Sequence, residues 1–389
     1  MAYFVGVDTG GTFTDCVIMD GDGKLVLGKS PSTPPDFAVG VLGAVGVAAE
    51  SMGLTLEDLL QQTVLFTHGT TVATNAMLTR SGARTGLITT EGFEDTIIMM
   101  RAIGRVVGLT EEEIKHMVAT NKPVPIVPRT LIKGVTERVD YKGAVLRALD
   151  KEAARRAIKE LVDEGVEAIA VCFLWSFMNP THEREVLRLI KEMYPGVFAS
   201  ISSDLTPKLG EYERTATAAI NAYVGPATSR YIASFSDQLK GKGFAYVPLI
   251  MQAYGGCLPA DRAVERPVEM IGSGPAGGVI GSKFMAELMG HNNVITTDVG
   301  GTSFDVGLIY GGVPELAKEP SIGQYRLMVP SIEIKSIGAG GGSIAWVEPV
   351  TNLLKVGPRS AGARPGPVCY DAGGTDPTVT DADLVLGYL

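Results

Sequence analysis

A chain of 389 residues with 45% hydrophobic and 20% charged side chains can bury a sizeable core and has the length of roughly two domains. Its net charge of −9, with no lysine- or arginine-rich block, argues against a nucleic-acid footprint. Cys16, Cys172, Cys257 and Cys369 lie far apart with no CxxC pair, and His68, His116, His182 and His291 are equally scattered, so the spacing offers no zinc site and the thiols read as reduced in a cytoplasmic protein.

MAYFVGVD lacks the basic and apolar regions of a secretory signal. YFVGVD then reads as a strand, DTGGT as a turn, FTDCVIMD as a second strand and DGDGK as a hairpin turn before a third strand, LVLGK. The apolar stretch Val39 to Ala49 is broken by glycines and too short to span a bilayer, so no membrane role is expected. Val64 to Thr67 predicts a strand, HGTTVATNAMLTR a loop and helix, and ARTGLITT another strand. NKPVPIVPRTL is proline-rich and irregular. Lys151 to Glu164 and Thr181 to Tyr194 are amphipathic helices flanking VEAIAVCFLW, a buried strand. This alternation favours a mainly parallel or mixed sheet covered by helices. GSGPAGGVIGSKFMAELMG, Gly272 to Gly290, begins as a glycine turn and becomes a helix. NVITTD, VGGT, SFDVGLI, YGG and VPELAK then repeat the opening plan of strand, turn, strand, turn, strand. The main boundary is expected near His291, with a first domain over 1–290 and a second over 291–389.

The two meanders share a motif: DTGGTFTD (Asp8 to Asp15) and DVGGTSFD (Asp298 to Asp305) both read D-x-G-G-T-x-x-D. Glycine makes up 48 of 389 residues, about 12% against a usual 7% or so, and clusters in pairs, which points to backbone geometry at particular sites. A hairpin with Gly-Gly at its tip can aim backbone N–H groups into one concavity, because glycine accepts positive φ and carries no Cβ. Thr12 and Thr302 add hydroxyl donors, and two such hairpins facing one another could hold the phosphates of a nucleotide. The acids would repel a polyphosphate, and neither motif contains a lysine or arginine. A divalent cation between carboxylate and phosphate resolves the conflict, since Mg²⁺ uses one or two carboxylates, waters and substrate phosphates. Asp8 and Asp298, at the strand ends, are the metal-facing candidates, while Asp15 and Asp305 hold the turns. The alternative for either copy alone is an ordinary hairpin with turn-stabilising aspartates. Duplication in the same context weakens it.

Other patterns compete. Gly23 to Ser30, GKLVLGKS, matches the P-loop expression, but KLVL reads as a strand and PSTPP follows where a helix should begin. Gly272, Gly274 and Gly277 give GxGxxG after VEMI and before a helix, with Asp298 downstream, the context of a Rossmann site. That reading leaves the first meander unexplained. SIGAGGGSIAW, from Ser336, is either a close approach to a base or ribose or a loop without ligand. His68 sits at a strand-to-helix turn, where a helix-capping role is the alternative to a functional one. Arg214, Arg359 and Arg364 could meet an anion, surface salt bridges being more usual.

GVDTGGTFTD, HGTTVATN, MIGSGPAGGVIG, TTDVGGTSFDVGLI, SIGAGGGSIAW and VGPRSAGARPGPVCY with TVTDADLVLGYL resemble the hydantoinase A/5-oxoprolinase family, which includes the ATP-binding subunits of acetone and acetophenone carboxylases. The resemblance implies a ribonuclease H-like, actin/Hsp70-type two-lobe ATPase fold of the α/β class with mixed sheets, Gly272 to Gly290 being the connecting helix. Family chains are longer, so the second lobe is expected to be truncated at Leu389. It further implies ATP and Mg²⁺, with Asp8 and Asp298 as the metal and catalytic carboxylates. Gly10, Gly11, Thr12, Thr14, Gly300, Gly301, Thr302 and Ser303 would cradle phosphates, and Gly338, Gly340 and Gly341 would lie near adenosine. The implied chemistry is phosphorylation of a carbonyl oxygen in a small-molecule substrate, for opening a cyclic amide or, alternatively, for carboxylating a ketone. A larger, hydantoinase B-like subunit is the implied partner.

Overall fold

The computed structural model describes residues 2–11, 13–33, 36–109, 114–116, 118, 120–301, 303–349, 351–362 and 364–389. The chain opens with β1 (Tyr3–Thr9), β2 (Phe13–Met19), β3 (Leu25–Pro31) and α1 (Phe37–Ser51), followed by β4 (Thr63–Thr70) and α2 (Val72–Leu78). A second layer contributes β5 (Thr85–Thr90), β6 (Ile132–Val135), α3 (Lys151–Asp163), β7 (Ala168–Cys172), α4 (Thr181–Met193) and β8 (Phe198–Ile201). Then come the long α5 (Glu211–Gly241), the short β9 (Leu249–Met251) and β10 (Cys257–Pro259), and α6 (Ser273–Leu288). The last part holds β11 (Val294–Val299), β12 (Phe304–Tyr310), β13 (Val313–Pro314), β14 (Ile334–Ile337), β15 (Ser343–Val347), β16 (Leu354–Ser360) and α7 (Val379–Leu386).

The first sheet has the order β10-β9-β4-β1-β2-β3. Its first three strands form the expected antiparallel meander, whereas β4 and β9 join parallel, so the sheet is mixed. Alternation in β1 and β2 sends Val5, Val7, Cys16 and Ile18 into the core and leaves Asp8, Asp15 and Val17 on the opposite face. The predicted loop HGT is instead the end of β4, because Phe66, His68 and Thr70 continue the buried alternation.

The second sheet, β8-β7-β5-β6, is wholly parallel. Its middle strand β7 is buried along its length, the pattern of a strand covered on both faces. The helix α3 starts where the Asp150 carboxylate accepts from Ala153 N at 2.9 Å, an N-cap that satisfies a donor otherwise orphaned. Burying Ile158 and Leu161 from this helix contributes about 1.5–3 kcal/mol each.

The second meander departs from the first in its third strand. Its β13 is only two residues long, although Glu315 N still donates to Leu308 O at 2.9 Å just beyond it. The remaining edge of β12 is taken by β14, which pairs Phe304 to Gly307 with Ile337 to Ile334. Between them the chain leaves the sheet and returns through a Leu316–Ile332 bridge. On this excursion Tyr325, Leu327 and Val329 enter the large core, which otherwise draws on residues 3 to 270. Ile126 N donates to the Tyr325 hydroxyl at 3.1 Å, and Met328 N to Thr217 Oγ1 at 3.0 Å. A smaller core joins Ala276 and Val279 of α6 to Ile309 and Ile332. Among the described residues no single helix is long and apolar enough to cross a membrane.

Candidate active site

The sequence repeat is a structural repeat. Asp8 lies directly opposite Asp15 in the β1–β2 ladder, and Asp298 directly opposite Asp305 in β11–β12. Each tip is closed by the same bond: Gly10 N donates to Phe13 O at 3.0 Å and Gly300 N to Ser303 O at 2.9 Å. Thr12 and Thr302 lie outside the described residues. Thr14 is on the other face of β2, fully buried, with its hydroxyl 3.1 Å from Ser32 Oγ.

Between the two acid pairs runs α6. Its start is fixed to the end of β4 and to α2: Ser273 Oγ donates to Thr70 O at 3.3 Å and Gly272 N to Thr74 Oγ1 at 3.1 Å. A cleft of about 730 Å³ opens beside its first turns, lined by Asp8, Asp15, Lys29, Gly274 and Asp298. A smaller cavity of about 200 Å³ on the side of the second meander is lined by Asp298, Asp305 and Gly278. Gly69 and Gly274 let backbone close around Asp8; a Cβ would stand 2.7 Å from Asp8 Oδ1 at the first and 3.6 Å at the second. The amino end of a helix carries free N–H groups and partial positive charge, so the cleft combines an anion-attracting helix end with carboxylates from both sheets.

The acids divide by partner. Lys29 Nζ donates to Asp15 at 2.6 Å. Asp305 accepts from Ser303 Oγ at 3.3 Å and from the Ser336 hydroxyl. Among the described residues neither Asp8 nor Asp298 has a side-chain hydrogen bond or an ion pair. Although Asp8 opens into the cleft, protein crowds its carboxylate. Loss of water around it, then the charges of Asp15 and Asp298, hold its carboxyl above the usual range. Two unpartnered, oxygen-only donors under like-charge repulsion fit a hard divalent cation such as Mg²⁺. Among the described residues no group of three or more His, Cys, Asp or Glu could hold a metal ion, so a cation at Asp8 and Asp298 needs further oxygens from water or phosphate.

The glycine run after β14 packs on the second tip. Gly341 N donates to Gly300 O at 2.9 Å and Gly342 N to Gly301 O at 2.6 Å. A Cβ at Gly340 would lie 2.6 Å from Gly300 O and 2.8 Å from Ser303 N. Gly340 and Gly342 thus owe their lack of a side chain to contact with the hairpin backbone, while a Cβ at Gly338 would meet nothing.

Lys29 is the site residue that motif reading passed over. GKLVLGKS is a hairpin turn entering β3, not a P-loop. Counting back from the DGDGK turn sets Leu25 against Met19 and Lys29 against Asp15, a register the sequence already contains. His68 is a core residue: fully buried, with Nε2 2.6 Å from the Tyr231 hydroxyl and Nδ1 3.3 Å from Val7 O. Burial pushes its pKa down to about 4, so it is neutral at physiological pH. Arg214 is also fully buried, donating to Ser176 and Ser202 hydroxyls and to Phe173 O, and makes no surface salt bridge. Arg359 does pair at the surface, 3.7 Å from Asp376. The GxGxxG follows a 3-10 turn (Pro267–Met270) rather than a strand, and Asp298 belongs to a different sheet, which removes the Rossmann geometry.

The gamma subunit of acetophenone carboxylase from Aromatoleum aromaticum is 43% identical over 391 residues, covering 99% of this chain and 53% of that one. Caprolactamase subunit alpha of Pseudomonas jessenii is 39% identical over 389 residues, covering 100% and 55%. The crystal structure of ATP-dependent caprolactamase from the same organism superposes with a TM-score of 0.84 at 37% identity, over 100% of this chain and 55% of that one. The nucleotide-free structure of acetone carboxylase gives 0.86 at 34% identity, over 99% and 55%. The chain thus spans about half the length of the curated relatives it matches, and the mixed α/β fold expected from sequence is that of these subunits. The hydantoinase/oxoprolinase N-terminal region model matches residues 4–194 and the hydantoinase/oxoprolinase model residues 214–389. The chain belongs to the hydantoinase/oxoprolinase family.

Proposed function

We propose that this chain binds Mg·ATP in the cleft and transfers its terminal phosphoryl group to the carbonyl oxygen of a small substrate. The observation that carries the reading is the convergence of Asp8 and Asp298, unpartnered, from two copies of one hairpin on the amino end of α6. Asp8 and Asp298 would hold Mg²⁺, which when bound screens the phosphate charges from the four carboxylates. The tips Gly10–Gly11 and Gly300–Gly301 would cradle the phosphates: Gly11 and Gly301 would offer backbone donors and Thr12 and Thr302 hydroxyls, while the Gly10 and Gly300 N–H groups hold the turns closed. In this reading the lobes divide near residue 290, at α6.

For a cyclic amide the carbonyl oxygen attacks the terminal phosphorus while the bond to the bridging oxygen of ADP breaks. Water then adds to the phosphorylated imidate carbon, the C–N bond opens, and the products are the amino acid, phosphate and ADP. The chain's contribution is positioning and charge compensation, since phosphoryl transfer asks little covalent chemistry of a protein. The similarity to caprolactamase supports amide opening. The 43% identity to an acetophenone carboxylase subunit favours the second reading, in which a ketone enol and bicarbonate are the acceptors. Those relatives are named as subunits, which supports a heteromeric assembly here; the partner we propose, from the resemblance of the sequence motifs, is a larger hydantoinase B-like chain. Free thiols at all four cysteines fit a cytoplasmic location.

The test is ADP and phosphate release, with the large partner co-expressed, on lactams, hydantoins and ketones with and without bicarbonate. Stimulation by a cyclic amide without bicarbonate is the expected result. A requirement for ketone and bicarbonate together selects the second reading, and ATP turnover indifferent to every carbonyl compound contradicts both.

A further inference from the structure

The two hairpins repeat one another in strand register, tip closure and acid placement, yet they differ in the third-strand residue that faces the second acid. In the first copy the third-strand residue opposite the second acid is Lys29, facing Asp15. In the second copy the equivalent place, opposite Asp305, is held by Ser336. Lys29 is also the only lysine or arginine among the described residues lining the cleft, against three carboxylates, Asp8, Asp15 and Asp298.

We propose that Lys29 is the phosphate-reading residue of this cleft, leaving Asp15 to meet the terminal phosphate of the nucleotide and so fixing that end of the nucleotide at the first hairpin. This rests on the Mg·ATP reading given above. Three observations carry it. Lys29 and Asp15 are each more than half exposed, at 57% and 59%, and an exposed ion pair of this kind is weak and readily exchanged for a more highly charged acceptor. The ammonium rests 4.9 Å from the centroid of the Phe13 ring, at the base of the glycine tip, so a short side-chain swing keeps it beside the tip. On the second hairpin Ser336 gives its hydroxyl to Asp305 and brings no positive charge, so the cleft is electrostatically asymmetric along the line joining the tips. A nucleotide polyphosphate carries more charge at its terminal phosphate than at its inner ones, and its most highly charged end belongs with the cation.

Asp15 in this scheme is a positioning residue: it parks the ammonium over the cleft and keeps it from Asp8. A bracing role for the Lys29–Asp15 pair predicts something different, a loss of stability with no change in which nucleotide is preferred.

The experiment is calorimetric titration of the full chain with Mg·ATP and with Mg·ADP, for wild type, Lys29→Met, Lys29→Arg and Lys29→Ser. The proposal expects wild type to favour Mg·ATP, Lys29→Met and Lys29→Ser to lose that preference by about ten- to a hundredfold in the ratio of affinities, and Lys29→Arg to keep most of it. Thermal midpoints of all three variants should stay near that of wild type, because position 29 is exposed. An unchanged ratio in Lys29→Met, with wild type binding both nucleotides, overturns the role of Lys29 and leaves the nucleotide reading standing. Wild type that binds neither nucleotide overturns the nucleotide reading, and this proposal with it.

Discussion

Gly69 stands beside Asp8 in the parallel β1–β4 register, and a Cβ on it would come within 2.7 Å of Asp8 Oδ1. The carboxylate therefore occupies the volume a side chain at 69 would fill. Gly69→Ala should rotate Asp8 away from the cleft and weaken Mg·ATP binding by about 10- to 100-fold, the scale on which a displaced ligand group acts. The check is nucleotide titration alongside a thermal melt; weakened binding with a small fall in melting temperature is the expected pair of results.

Asp8 is also held at an electrostatic cost. Its carboxyl titrates above the usual range because of lost hydration and the neighbouring Asp15 and Asp298, so the native state binds a proton more readily than the unfolded chain does. Stability therefore falls as pH rises from the ordinary carboxylate range through the native pKa, and the deficit is fully present above that native pKa. Asp8→Asn, free of metal and nucleotide, should melt above wild type at neutral pH, with the advantage vanishing in acid. Mg·ATP should reverse the order by stabilising only wild type.

His68 gives the opposite slope. Its native pKa near 4 lies below the ordinary histidine value of 6.5, so the unfolded chain takes up the proton first as pH falls. The stability it supports is present above pH 6.5 and is lost between there and about 4, amounting to roughly 3 kcal/mol. Urea unfolding across this range should show a slope in wild type that His68→Gln reduces. Identical slopes would assign the acid transition to other groups.

Gly340→Ala tests how the second tip is held. The new methyl would meet Gly300 O and Ser303 N at 2.6 and 2.8 Å, and overpacking of this kind costs about 1–3 kcal/mol. Because the displaced atoms belong to the hairpin tip, melting temperature and nucleotide affinity should fall together. A fall in stability alone would separate the glycine run from the site.

Much of this was legible in the sequence for a physical reason: strand pairing transmits local pattern. The repeat D-x-G-G-T-x-x-D sets each acid pair across its own hairpin, since turn length fixes register. The helices Lys151–Asp163 and Thr181–Met193 followed from their charged and apolar faces. What stayed hidden depended on distant partners. Phe66, His68 and Thr70 look like a strand running into a loop until Tyr231 and Phe235 of α5 are seen closing over His68. The arginine Arg214 reads as a surface charge until Ser176 and Ser202 arrive from the ends of two other segments. The third strand of the second meander could not be foreseen, because β14 enters from twenty residues beyond Pro314. Lys29 was readable from register yet lay hidden behind a false motif match.

The most direct test of the account is whether nucleotide binding requires the metal and both hairpins at once. Calorimetric titration of wild type and Asp298→Asn with ATP, with and without Mg²⁺, addresses this in one series. The account predicts binding to wild type only when Mg²⁺ is present, and a loss of about a hundredfold or more in Asp298→Asn with folding stability nearly unchanged. Equal binding with and without Mg²⁺, or full binding by Asp298→Asn, would contradict it.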